Sequence, residues 1–304
     1  MFFRNLTLFR FNPALSKKAF KDIETTLAEA ALKPCGPMEP MSRGFVSPFG
    51  REQPALSHQV GNALWLTLGG EDRLLPSSVI NEELARRLAQ AEQREGRRPG
   101  SRARKRIKED VVQELLPRAF VRPSRLDACI DLAQGVVMVD SSSRKSAEGF
   151  LTELRNALGS FPALPLNAEL SPRALLTGWI AGEPLPPGFV LGDECELRDP
   201  VDGGAVVKCQ RQELQGEEIR QHLESGKQVS RLALSFEEHV SFVLGEDLVL
   251  RKLKFLDGVV DQLENNERDS LNAELDARFA LMSAELARLF VALEKALKLS
   301  KPQD

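Results

Sequence analysis

The sequence predicts an α+β fold: antiparallel sheets with helices, and a basic helical hairpin protruding from an elongated subunit. Three observations carry this. Short alternating apolar runs separated by Gly, Asp and Glu turns recur near residues 126–140 and 229–255, as antiparallel hairpins and meanders require. Apolar residues at helical spacing mark several further segments. One stretch, Arg86 to Lys108, holds ten cations against Glu92 and Glu95, a local balance of +8 in a chain of net charge −3. The remainder therefore sums to −11, and a basic patch on an acidic body attracts polyanions at that place alone.

Taken in order, Asn5 to Phe11 reads as a strand, and Phe20, Ile23, Leu27 and Ala30 mark one helix from Ser16 to Leu32 with Pro34 beyond it. Residues 33–59 read as irregular connection with a short strand at Phe45 and Val46. Ala63 to Leu68 reads as a strand that Gly69 and Gly70 turn towards Leu74 and Leu75. A helix opens at Pro76 with Ser77 or Ser78 as its cap, and Ile80, Leu84, Leu88 and Ala91 form its apolar stripe. Gly96, Pro99, Gly100 and Ser101 interrupt the pattern, and Ile107, Val111 and Leu115 resume it. The basic run is thus the tip of a helical hairpin on two amphipathic stems.

Pro117 breaks the second stem. Leu126 to Leu132 and Val136 to Asp140 form a strand hairpin, and Ser143 to Leu158 a helix closed by Gly159. A proline-rich stretch, 159–192, holds one short helix from Ser171 to Ile180. Strands follow at Phe189 to Leu197 and Ala205 to Gln210, then a helix from Gly216 to Glu224. A meander spans Val229 to Phe236, Val240 to Leu244 and Leu248 to Phe255. The chain ends in helix from Val259 to Leu297, interrupted near Asn265 and Asn266. The expected division is a central domain of residues 1–75 and 121–170, the hairpin 76–120, and a second α+β domain 171–304.

Several function classes lack their signatures. Cys35, Cys129, Cys195 and Cys209 are 94, 66 and 14 residues apart, which is no zinc-ligand spacing and reads as reduced, buried thiols. His58, His222 and His239 stand in no catalytic motif, and no nucleophile elbow, dinucleotide fingerprint or P-loop occurs. No apolar run reaches a membrane span and no cleavable leader is visible, so the expected location is cytoplasmic. No metal or other cofactor is expected, and no enzymatic activity. The carboxylates Asp257, Asp261 and Glu264, at i, i+4 and i+7, fit a solvated helix face as well as a nuclease site.

The order and spacing of six segments carry a resemblance: LKPCG (32–36), LLPS (74–77), LLPRAF (115–120), VVMVD (136–140), LGSFPALPL (158–166) and LKFLD (253–257). Over nearly its whole length the chain resembles the RdgC family of recombination-associated, nucleoid-associated DNA-binding proteins. The resemblance implies a homodimer closed into a ring around duplex DNA, binding with little sequence preference and restraining RecA-promoted strand exchange. The basic tip then supplies DNA-binding residues Arg97, Arg98, Arg102, Arg104, Lys105, Arg106 and Lys108, with Arg118 after the second stem. Lys208, Arg211 and Gln212 form a smaller expected contact, matching a basic-Gln pair of the family. Leu116 and Phe120 are the expected gate where one subunit closes on the other.

The residues themselves bear on the ligand. Sequence-independent duplex binding needs cations for phosphates and no base-edge code. Single-strand binders add aromatic platforms, and the basic stretch has no aromatic in a chain with no Tyr and two Trp. Duplex DNA is therefore favoured; an RNA- or ribosome-associated module and a nuclease are the alternatives.

Overall fold

The computed structural model describes residues 2–50, 53–201, 204–264 and 270–301. In chain order the elements are β1 (Thr7–Arg10), α1 (Ser16–Ala19), α2 (Ile23–Glu29), β2 (Met41–Val46), β3 (Ser57–Val60), β4 (Ala63–Leu74), α3 (Ser77–Glu95), α4 (Ser101–Leu115) and β5 (Phe120–Asp131). Then come β6 (Val136–Val139), α5 (Arg144–Leu158), β7 (Leu164–Pro165), α6 (Pro172–Ile180), β8 (Phe189–Arg198), β9 (Val206–Gln210) and α7 (Glu217–Glu224). The last are β10 (Gln228–Phe236), β11 (Val240–Gly245), β12 (Leu250–Phe255), α8 (Asp257–Glu264) and α9 (Leu271–Ala296). The pairings in register are antiparallel, and the fold is α+β as the sequence predicts.

Two compact units form. The larger comprises Met1–Glu29, Ser47–Thr67 and Leu126–Asp304; the smaller comprises Ala30–Val46 and Leu68–Arg125. The expected boundary near residue 170 falls inside the larger unit, while the smaller adds strand segments to the hairpin.

In the larger unit one sheet has the order β5-β6-β1-β7, with β3 paired to the first part of β4, and the other runs β12-β11-β10-β8-β9. Reciprocal backbone bonds between Leu6 and Leu250, at 2.8 and 3.0 Å, tie the two. One continuous core follows: Phe279, Met282, Leu286, Leu289, Phe290 and Leu293 of α9 share it with Trp65, Phe242 and Leu250. Trp65 stacks on Phe279 at 5.2 Å, and its indole donates to the buried Asp127 carboxylate at 3.1 Å. An indole N–H can be buried because it has that acceptor.

Local chemistry sets most boundaries. Ser143 accepts from Ser146 N to open α5, and Gly159, at φ 72°, closes it. Ser171 caps α6 with Pro172 in its first turn. All four cysteines are free and buried. Cys195 faces Cys209 across β8 and β9, and burial with that neighbour pushes its thiol up to about 12.

Three expectations are corrected. The helix from Ser16 to Leu32 is two: Phe20 packs against Phe161 and Phe11, at ring distances of 5.4 and 6.3 Å, and helix resumes only at Ile23. It stops at Glu29 because the backbone of Ala30 and Leu32 bonds to Phe45. Gly69 and Gly70 do not turn the chain; β4 runs straight through them. They are small because a Cβ on Gly69 would meet Val46 at 2.6 Å, and one on Gly70 would meet Ser124 Oγ at 2.6 Å. Finally, β5 starts at Phe120, six residues before Leu126, with its first six residues exposed and Pro123 among them. Proline reads as a strand breaker, but an exposed strand end tolerates it. The expected interruption at Asn265 and Asn266, and the side chain of Glu264, lie outside the described residues.

Two glycines of opposite kind test this packing. Gly70→Val is expected to lower stability by about 1–3 kcal/mol through overpacking. Gly149→Ala, on the exposed face of α5 with open space around the added Cβ, is expected to raise it by about 0.5–1 kcal/mol. Thermal unfolding of both against the parent reads the difference.

Candidate nucleic-acid interface

The basic run folds as expected into a helical hairpin in the smaller unit. Leu84 of α3 and Val111 of α4 are buried, with Ile80, Leu88, Ala91, Ile107 and Leu115 half-buried along the same seam. Gly96 takes a left-handed φ of 68° and its N–H reaches Glu92 O, ending α3; Gly100 precedes α4, whose first turn closes with Arg104 N on Gly100 O at 2.9 Å. The expected serine cap of α3 is absent: Pro76 stands at that position and no side chain caps the helix. Ser77 already lies inside it.

The cations of the run divide into two groups. Near the stems, Arg86 and Arg87 donate to Glu83 at 2.6 and 2.8 Å, and Arg87 also reaches Glu114 across the seam. Arg87 thereby clips the two helices together, while Arg86 pairs within α3. Hydrogen bonds from Arg86 and Arg87 hold the Glu83 carboxyl down at about 2. Towards the tip, Arg98 pairs with Glu92 at 3.2 Å while its side chain remains 88% exposed. Among the described residues, Arg94, Arg97, Arg102, Arg104, Lys105, Arg106 and Lys108 are exposed and have no carboxylate in ion-pair reach.

Their placement on α4 runs against helix electrostatics. A helix N-terminus carries unsatisfied N–H groups and partial positive charge, which acidic residues and side-chain caps ordinarily relieve. Here the first turn holds no acidic residue, Gly100 offers no capping side chain, and Arg102, Arg104 and Lys105 crowd the same end. Arg102, Lys105 and Arg106 share a face at i, i+3 and i+4, and Arg104 and Lys108 form another like-charge pair. Each such pair destabilises the free helix by about 0.2–0.5 kcal/mol. A polyanion lying on the tip would relieve both strains at once.

The other expected residues are scattered. Arg118 is exposed in the turn after α4. Phe120 is 85% exposed, while Leu116 is buried at 7%, so of the two expected gate residues only the aromatic presents its side chain to solvent. In the larger unit Lys208 lies 3.7 Å from Glu196, a buried carboxylate that also takes Arg198 at 2.8 Å and Arg231 at 3.4 Å. Burial would raise the Glu196 pKa, and the arginines outweigh it to leave the group lowered. Gln212 donates to Glu218, and Arg211 sits exposed at a left-handed φ of 56°. Two of the three expected contacts here, Lys208 and Gln212, thus already face carboxylates of their own unit, while Arg211 stays exposed.

His58 pairs with Asp276 at 2.7 Å and His239 with Glu285 at 3.0 Å. Among the described residues no three His, Cys, Asp or Glu side chains gather as a metal would require, and no helix is long and apolar enough to cross a membrane.

Because the Glu83 carboxyl titrates lower in the folded chain than its ordinary 4.5, its ion pairs stabilise the hairpin above that value and are lost as pH falls towards 2. The parent is expected to lose an increment of thermal midpoint across this window that Glu83→Gln lacks.

A family model described as "Putative exonuclease, RdgC" matches residues 1–300. The recombination-associated protein RdgC of Xanthomonas campestris pv. campestris (strain B100) is 64% identical over 304 residues, covering 100% of both chains. That of Xanthomonas axonopodis pv. citri (strain 306) is likewise 64% identical over 304 residues, 100% of both. The RdgC protein of Stenotrophomonas maltophilia (strain R551-3) is 61% identical over 302 residues, 99% of each. With a family model matched over nearly its full length and relatives aligned end to end, the chain belongs to the RdgC family of recombination-associated proteins.

Proposed function

We propose that this chain is a sequence-independent DNA-binding protein that encircles duplex DNA as a ring-shaped homodimer, associates with the nucleoid, and restrains RecA-promoted recombination. One observation carries the reading: a hairpin tip with seven exposed cations free of carboxylate partners among the described residues, on a chain of net charge −3. Such a surface meets what phosphate neutralisation demands, a local density of Arg and Lys with no base-edge code. It offers no aromatic platform, which favours duplex over single strand. Phe120 supports self-association, since a rigid exposed aromatic buries a large area with little loss of side-chain entropy. Occupancy of the duplex is then enough to exclude RecA without any catalytic step.

The description of the matching family model favours a second reading, nucleolytic cleavage. Incubation with labelled plasmid, circular and linearised, and magnesium separates the two: accumulation of nicked or shortened product would displace the purely binding role.

If the tip meets phosphates, log K for duplex DNA falls against log salt with a slope of about −0.9 for each phosphate neutralised. Replacing Arg102, Lys105 and Arg106 together by Ala is expected to make that slope shallower by up to about 2.7. An unchanged slope would mark the tip as solvated surface. Phe120→Ala is expected to leave far-UV circular dichroism and melting unchanged while weakening self-association and DNA retention together. A lowered melting temperature with self-association intact would assign Phe120 to its own chain's packing.

A further inference from the structure

Phe120 is 85% exposed, so its own chain contributes little packing that could aim the ring. Its direction is set by the backbone that delivers it. That backbone is a tight turn, Leu116–Arg118, in which Ala119 N bonds to Leu116 O at 3.1 Å. The carbonyls of such a turn, just past the C-terminus of α4, carry partial negative charge and lack helical partners.

One side chain gathers them. Arg73, near the end of β4, directs Nη1 at Leu116 O, Pro117 O and Ala119 O, at 3.3, 3.4 and 3.3 Å. Nε donates to Gly36 O at 3.2 Å and Nη2 to Cys35 O at 3.3 Å, so the guanidinium bridges the 35–36 loop and the turn. Among the described residues no carboxylate pairs with Arg73, although its neighbour Asp72 binds Arg43 at 2.5 Å. Its whole charge is thus spent on carbonyl oxygens.

We infer that Arg73 is a positioning residue for Phe120, and through it for self-association. The inference rests on the reading of Phe120 as the self-association anchor. The Ala119 carbonyl belongs to the planar peptide unit that contains Phe120 N. Fixing that oxygen fixes the plane from which the Phe120 Cα and ring depart. Arginine suits the task because a rigid planar fork with five donors serves two backbone segments at once, whereas a lysine ammonium is a point donor that cannot span both. Arg73 also stands four residues before Ser77, where α3 begins, and its partners stand where α4 ends. The same clasp therefore closes the base of the basic hairpin.

The test is a double-mutant cycle read by sedimentation equilibrium on the full-length chain: Arg73→Gln, Phe120→Ala and the two together. Arg73→Gln is expected to weaken self-association by about tenfold, the loss of charge-assisted hydrogen bonds to the turn, and Arg73→Lys to recover part of it. Added to Phe120→Ala, Arg73→Gln is expected to cost nothing further, since a misaimed ring and an absent ring are equivalent. If Arg73→Gln fails to fold by circular dichroism, Arg73→Lys takes its place in the cycle, with a smaller loss and the same non-additivity. Fully additive losses, or parent-like self-association in a folded Arg73→Gln while Phe120→Ala is impaired, would overturn the role of Arg73 alone. Parent-like self-association in Phe120→Ala would instead overturn the anchor reading on which it rests.

Discussion

The hairpin depends on one constraint: like charges must be held together that would separate if free. On α4, four pairs at i, i+3 or i+4 spacing are cation against cation, and the helix begins without a cap. Their combined repulsion is on the order of 1–2 kcal/mol. Against it stand the buried Leu84 and Val111, each stabilising by about 1.5–3 kcal/mol, and the ion pairs of Arg87 with Glu83 and Glu114. The apolar seam outweighs the repulsion, so the cations stay concentrated where an anion can reach them. Glu83 and Glu114 engage the stem arginines, whereas most cations towards the tip have no carboxylate in reach among the described residues.

Most of this hairpin was legible in the sequence because its determinants are local. The apolar stripe of Ile80, Leu84 and Leu88, the break at Gly96 and Pro99, and the count of cations all lie within one window. The Ser171-Pro172 start of α6 and the Ser143 and Gly159 ends of α5 were legible for the same reason. What failed to show depends on distant partners. Gly69 and Gly70 resemble a turn until Val46 and Ser124 are seen beside them, and Phe20 resembles mid-helix until Phe161 is seen against it. Arg73 gave no signal, because it binds carbonyls 37 and 38 residues earlier and 43 to 46 residues later in the chain.

The contrast between the two basic sites rests on their acids. Lys208 lies at the edge of a cluster in which Glu196 takes up Arg198 and Arg231, and Gln212 is occupied by Glu218. A sequence window shows the cations there but not which carboxylates the neighbouring strand places against them. At the hairpin tip Arg98 has Glu92, and the other exposed cations have no carboxylate in reach among the described residues. Phe120 and the tip sit at opposite ends of α4, so the proposed anchoring and the proposed phosphate contact would use different ends of one helix.

Whether the hairpin tip lies against the phosphate backbone is tested most directly by amine footprinting of the parent chain, with no substitution introduced. Lys105 and Lys108 stand on the tip, while Lys145 is exposed on α5 in the larger unit. Mild acetylation followed by mass spectrometry, with and without duplex DNA at low salt, reads each lysine separately. DNA is expected to protect Lys105 and Lys108, salt to abolish the protection, and Lys145 to react equally in every condition. Equal reactivity of Lys105 and Lys108 with and without saturating duplex would contradict it.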